Sequence, residues 1–294
     1  MKNILVLVAV FSSFSLVLKA QEVSYSNWED LPNRLYDSIV ETQKSAHFIS
    51  IEQLKNNSVS AENETAIEYP KLPKANKKQL TPQKLVKNIR PTSLMICKLK
   101  RGFGIHKDFV IIGASAAVLS EDGLCVSNYH VFESIIDQGQ SIMPQDSLFF
   151  AADSKGKVYP ITKVLNYSKY ADLATFKIDT RGEKLTPVAL GNDLEVGSTV
   201  HTMTHPNQRA YYYTKGIVAR NSSFVNNPWE NRCDITADYA KGSSGGPIFD
   251  DFGNLVAIVS STNSIYAGNS NNPEWQMVIK IAVPVSSVKK LIRG

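Results

Sequence analysis

Only three cysteines stand in 294 residues, Cys97, Cys125 and Cys233. The set is odd and shows no paired zinc spacing, which excludes a disulfide framework and argues against a cysteine-held metal. Each lies in apolar, strand-like text, so buried thiols are expected. Long apolar runs are scarce too: after Leu18 no segment is long enough to span a bilayer. An excess of one charge is also lacking, since 32 Lys and Arg face 27 Asp and Glu. The basic residues are scattered, apart from short runs such as Lys98-Leu99-Lys100-Arg101, so no nucleic-acid partner is expected. Of five histidines, only His201 and His205 are spaced i, i+4. That spacing suits a metal on a helix, and Pro206 with β-branched neighbours argues against one. No metal and no cofactor are expected.

The first residues set the compartment. Lys2 opens a short basic stretch, Ile4 to Leu18 is almost wholly apolar, and Ala20 is a small residue before Gln21. The run is too short for a membrane span and reads as a secretory signal peptide over residues 1–20, cleaved after Ala20. The mature chain is then secreted or periplasmic, without stable membrane insertion. No Cys lies near Ala20, so no bacterial lipid anchor is expected. Cleavage removes two lysines and no acid, lowering the net charge from +5 to +3.

Residues 21–79 differ from the rest. Leu31, Leu35 and Ile39 fall at helical spacing and suggest one short amphipathic helix. From Lys55 to Lys78 the text is polar, with prolines and lysines and little to bury, and reads as a linker. Thr81-Pro82 then starts a short helix, "PQKLVKNI". After Pro91 come short segments rich in β-branched and aromatic residues, among them "SLMICKLK", "GLCVSN", "DLATFKI", "STVHTMT", "NLVAIVSST" and "MVIKIAVP". Turn text such as Glu121-Asp122-Gly123 separates them. Close spacing without long intervening helices predicts an all-β domain of antiparallel barrels or sandwiches over residues 80–294. "VSSVKKLI" closes it as a helix with Val285, Val288, Leu291 and Ile292 on one face.

The chemistry concentrates in "AKGSSGGPIFD", Ala240 to Asp250. Three glycines around a central serine exceed what a plain turn needs. They suit a loop whose backbone N–H groups point at a ligand, as an oxyanion site requires, with Ser244 as nucleophile. A serine hydroxyl needs a base to take its proton and a third group to orient that base. His130 closes "GLCVSNYHVF", where a strand ends and the chain turns toward a short helix at a cleft. Asp172 stands just before the strand "LATFKI", while Asp153, Asp179 and Asp193 are also turn candidates. The order His130, Asp172, Ser244 singles out Asp172, because chymotrypsin runs in that order whereas subtilisin and the α/β-hydrolases do not.

From about Leu80 the chain resembles a chymotrypsin-fold serine peptidase, closest to the bacterial HtrA type. The matching text is "SNYHVF", "ADLATFKI", "ALGNDLEVGSTVHTMTHP", "TKGIVA", "GSSGGPIFD", "LVAIVS" and "KIAVPVSSVKKLI". The resemblance implies two perpendicular six-stranded antiparallel β-barrels with the triad in the cleft between them. It implies an oxyanion hole from the N–H groups of Gly242 and Ser244, with Ser243 assisting. The substrate strand would be Ser260, Ser261 and Thr262, and the partner a protein or peptide substrate. Residues 21–79 lie outside the resemblance.

Three departures stand out. The chain stops at Gly294, where the HtrA type commonly continues into a PDZ domain. The segment before the nucleophile, "DITADYAKG", is short, and Ser243 takes the place where trypsin-like zymogens carry an aspartate. Asp238, six residues before Ser244, falls where trypsin-like enzymes carry the acid of the primary pocket. Two outcomes follow: an Arg or Lys specificity set by Asp238, or an Asp238 that only caps a turn beside a shallow pocket for small aliphatic residues. The expected activity is that of a secreted serine endopeptidase. The alternatives are an inactive peptidase-fold binding module and an esterase using the same triad.

Overall fold

The computed structural model describes residues 23, 25–44, 48–69, 72–105, 107–224, 226–269 and 272–293. The stretch read as a signal peptide, with His47 and His106, lies outside them.

The N-terminal segment forms α1 (Leu31–Thr42), α2 (Ile51–Asn57), β1 (Glu62–Asn63), β2 (Ile67–Glu68) and α3 (Pro82–Ile89). Helix α1 buries Leu31, Leu35 and Ile39, the three residues at helical spacing. Helix α2 starts at a reciprocal cap: Ser50 Oγ accepts the Gln53 N–H at 3.2 Å, and Gln53 Oε1 accepts the Ser50 N–H at 2.9 Å.

Next come β3 (Ser93–Lys100), β4 (Phe109–Val118), β5 (Leu124–Ser127), α4 (Tyr129–Ile136), β6 (Asp146–Ala152), β7 (Val158–Ser168) and β8 (Leu173–Ile178). With β1 they form a seven-stranded sheet in the order β1-β7-β6-β3-β4-β5-β8, in which β8 also pairs with β7. Its strands read as continuous apolar text because both faces are covered. Met95, Cys97 and Leu99 of β3 join the cluster that holds Leu31, Leu35 and Ile39. Leu94 and Ile96, on the opposite face, join the cluster of Ile51, Leu54 and Phe132.

The second half contains β9 (Thr199–Thr204), β10 (Tyr212–Phe224), β11 (Asn227–Ile235), β12 (Pro247–Phe249), β13 (Leu255–Asn269), β14 (Asn272–Pro284), α5 (Val285–Leu291) and β15 (Ile292–Arg293). Here β10-β11-β14-β13-β12-β9 form a closed barrel. The expected pair of six-stranded barrels is therefore met by one closed six-stranded barrel and one seven-stranded sheet, whose extra strand β1 comes from the N-terminal segment. Strand β13 runs to Asn269, well past the expected end at Thr262.

The stretch expected as a linker is laid down on the domain. Strand β1 pairs in parallel with β7, and β2 with β15. Tyr69 takes a hydrogen bond from Lys177 and gives one to Asp122. Asn254 accepts the Asn76 N–H at 2.7 Å and donates to its carbonyl at 3.1 Å. Polar contacts, which an apolar pattern cannot register, hold this strap in place. The three cysteines are buried and unpaired. Among the described residues, no helix is long and apolar enough to cross a membrane.

Candidate active site

His130 sits in the first turn of α4 and Asp172 just ahead of β8, two elements brought together by the β5–β8 pairing. The Asp172 backbone is left-handed, with φ 55°, a conformation aspartate tolerates better than most residues. Asn128, just before α4, donates to the Asp172 carbonyl at 2.8 Å and so fixes this corner from the other side. The Asp172 carboxylate then meets the His130 Nδ1, with both oxygens at 3.0 Å, and accepts the His130 backbone N–H at 3.1 Å. Ser260 Oγ donates to the same carboxylate at 2.7 Å. Four contacts thus lock one carboxylate, and it in turn locks one imidazole. Burial alone would lower the His130 pKa. The hydrogen bond and charge of Asp172 outweigh it and raise the pKa above the ordinary 6.5.

Ser244 enters from the second half. Its carbonyl accepts the Ser115 N–H of β4 at 2.8 Å, which ties the serine turn to the first sheet. Gly245 must be glycine: its φ is +77°, and a Cβ would stand 1.9 Å from Ser127 Oγ. The turn's N–H groups divide in two. Ser243 N–H is spent on the Ala240 carbonyl at 3.0 Å, and the Ser243 hydroxyl donates to Thr204 Oγ1 at 3.0 Å. Among the described residues, the N–H groups of Gly242 and Ser244 have no acceptor. The two donors expected of an oxyanion hole are therefore available, while Ser243 is buried and turns no donor to the cleft.

A cavity of about 170 Å³ adjoins Ser244, lined by Tyr239, Lys241, Val259 and the expected substrate strand of Ser260, Ser261 and Thr262. The Tyr239 hydroxyl lies 2.9 Å from the Ser261 carbonyl and 2.8 Å from the Ile281 carbonyl, which pins the ring as a wall. Asp238 is not in this cavity. It is 79% exposed, pairs with Lys280 at 2.7 Å, and borders a different hollow with Trp275 and Met277. In the irregular segment after β11, Asp238 is exposed while Tyr239 is buried and lines the pocket. Sequence counting located the segment and missed that difference.

The other described histidines are spent structurally. His201 holds Asp251 through Nε2 and Tyr213 through Nδ1, each at 2.8 Å. His205 is fully buried, and its Nδ1 accepts the Tyr211 N–H at 3.0 Å. The His205 Nε2 has no partner but is sealed in the interior, so only His130 among them offers an unpartnered ring nitrogen, Nε2, on an exposed side chain. No hydrogen bond joins it to Ser244 here, as in many unliganded sites where that bond tightens with substrate. Among the described residues, no cluster of three His, Cys, Asp or Glu side chains is placed to hold a metal.

A two-part β fold with this corner and this glycine turn defines a class. Residues 114–258 match the family model "Trypsin-like peptidase domain". Several proteins that the chain is similar to bear protease names. The chain is 26% identical over 185 residues to "Protease Do-like 5, chloroplastic" of Arabidopsis thaliana, covering 60% of this chain and 55% of that protein. It is 29% identical over 187 residues to a "Probable periplasmic serine endoprotease DegP-like" of Brucella suis biovar 1, covering 60% of this chain and 32% of that one. The chain thus spans about half the length of the first relative and about a third of the second. Among solved structures, Deg5 aligns with a TM-score of 0.52 at 23% identity, over 71% of this chain and 93% of that one. The HtrA-type protease AlgW with decapeptide aligns with 0.56 at 18% identity, over 72% and 66%. These likenesses establish the fold.

Proposed function

We propose that this chain is a serine endopeptidase that cleaves peptide bonds through an acyl-enzyme, with Ser244 as nucleophile, His130 as general base and Asp172 as its orienting partner. The reading rests on one observation: the Asp172 carboxylate holds the His130 Nδ1 side, leaving Nε2 unpartnered on the only exposed ring among the described histidines. In the first step His130 Nε2 takes the Ser244 proton while Oγ bonds to the scissile carbonyl carbon. The negative charge moves to the carbonyl oxygen, where the N–H groups of Gly242 and Ser244 stabilise it. His130, now an imidazolium beside Asp172, gives its proton to the leaving amine as the C–N bond breaks. Water then repeats the sequence on the ester and frees Ser244.

The cavity of about 170 Å³ walled by Tyr239 suits a small aliphatic side chain before the scissile bond. A long Arg or Lys side chain finds no carboxylate there, because Asp238 points elsewhere. Secretion or export to the periplasm is part of the same proposal, supported by the apolar leader and by the Brucella relative's printed name. Ser244→Ala should lower amide turnover by about 10⁶-fold, since nucleophile, base and orienter act as a unit. Wild-type turnover in that variant would overturn the assignment.

A further inference from the structure

The N-terminal segment reaches the oxyanion turn through a single loop. Residues 205–211 link β9 to β10, and three of them are left-handed without being glycine: Asn207 at φ 46°, Gln208 at 63° and Tyr211 at 57°. Such backbone persists only where its surroundings over-determine it, and it clusters at working sites. This loop holds one particular peptide plane. The Asn207 N–H donates to the Lys241 carbonyl at 2.6 Å. A trans peptide carries its C=O and N–H on opposite sides. With the Lys241 carbonyl tied to Asn207, the Gly242 N–H faces away from Asn207 and has no acceptor among the described residues. The fit is close, since a Cβ on Gly242 would lie 2.7 Å from the His205 carbonyl oxygen.

The loop is itself braced at Tyr211. The Tyr211 N–H donates to His205 Nδ1, the two rings meet edge to face at 4.8 Å, and the Tyr211 hydroxyl donates to the Ser93 carbonyl at 3.2 Å. The last brace comes from outside the peptidase domain. The Trp28 ring lies 5.7 Å from the Tyr211 ring at 34°. Its carbonyl accepts the Leu31 N–H at 3.1 Å, so Trp28 is carried by α1, which is seated by Leu31, Leu35 and Ile39.

We propose that Trp28 is a positioning residue for hydrolysis at Ser244: it braces Tyr211, keeps the 205–211 turn left-handed, and so keeps the Gly242 N–H free for the oxyanion. The inference rests on the serine-endopeptidase reading and makes the N-terminal segment part of the working enzyme. Losing one oxyanion donor typically costs 10²–10³ in kcat. Loosening one should cost less, so Trp28→Ala should lower kcat about 10–100-fold with KM within about twofold. Trp28→Phe, which restores a ring against Tyr211, should recover most of that loss. A peptidyl boronate, whose adduct on Ser244 places an oxygen in the hole, should bind Trp28→Ala about 10–100-fold more weakly, and a non-covalent peptide about equally well.

A merely structural role would weaken both ligands together or leave both unchanged, and either result overturns the proposal. If Trp28→Ala does not fold, the wild-type chain gives the answer by hydrogen exchange. Linkage requires boronate binding to slow exchange in residues 28–42 as well as in 205–211. Unchanged exchange in 28–42 with Ser244 occupied overturns the proposal. A wild-type chain that forms no boronate adduct at all sinks the endopeptidase reading itself, an outcome distinct from an adduct that ignores Trp28.

Discussion

Two carboxylates, Asp172 and Asp238, were both legible as candidates, and their surroundings give them opposite fates. Asp172 accepts from His130 twice and from Ser260, and it raises the His130 pKa. A base must be neutral to accept a proton, so the acid limb of kcat/KM should lie above pH 6.5, the ordinary histidine value. Asp172→Asn removes the charge that raises this pKa while burial remains. The limb should move to lower pH, and the residual rate should fall about 10⁴-fold through the wrong imidazole tautomer. An acid limb that stays in place would detach Asp172 from His130. Asp238, turned outward onto Lys280, should matter little: cleavage profiles of Asp238→Ala and wild type, on peptides varied before the scissile bond, should coincide in favouring small aliphatic residues. A wild-type preference for Arg or Lys that disappears in the variant would put the carboxylate back in the pocket. His205 contributes to acid sensitivity. Burial lowers its pKa from 6.5 to about 3, so below pH 6.5 the unfolded chain binds a proton that the folded chain refuses. Its contribution is intact above pH 6.5 and should be lost progressively toward pH 3, which urea midpoints across that window will follow. His205→Gln should flatten that slope.

At the scale of elements, the surprise lies before residue 80. The segment was legible only in part. Leu31, Leu35 and Ile39 announced α1 because their spacing is helical and all three are buried. Helix α2 was missed although its signal, Ser50 with Gln53 three residues on, was in the text. Residues 55–78 looked like linker because what fixes them is hydrogen bonding to distant partners such as Asn254 and Asp122, which no local pattern encodes. The outer half of the β13–β14 hairpin escaped for a related reason, since it is exposed and lacks the apolar alternation that marks strands. By contrast β3 was plain from "SLMICKLK", and the structure explains why it is apolar on both faces. Met95, Cys97 and Leu99 share one buried cluster with Leu31, Leu35 and Ile39 of α1. Each of the three buried α1 side chains contributes about 1.5–3 kcal/mol, against a total domain stability of about 5–15 kcal/mol. A chain starting at Leu80, which the sequence alone presents as a self-sufficient domain, should be strongly destabilised or insoluble. A melting temperature for it within a few degrees of the 21–294 chain would contradict this.

At the scale of the whole molecule, the two halves share one cleft, and each supplies what the other lacks. The first sheet provides His130 and Asp172, and the second barrel provides Ser244 and the pocket strand. Two contacts join them at the centre: Ser260 donates to Asp172, and the Ser115 N–H donates to the Ser244 carbonyl. The N-terminal strap crosses both, with β1 on the first sheet and Asn76 and Leu80 on the β12–β13 corner of the second. The proposed site was more legible than the strap because its residues stand in compact motifs at three places in the chain, whereas the strap is written in scattered polar pairs. Ser244, and not the adjacent Ser243, is proposed to carry the chemistry. The most direct test treats wild type, Ser243→Ala and Ser244→Ala with a fluorophosphonate and locates the adduct by peptide mass mapping. The account requires a single adduct on Ser244 in wild type and in Ser243→Ala, and none in Ser244→Ala. An unlabelled wild type, or an adduct that survives in Ser244→Ala, would contradict it.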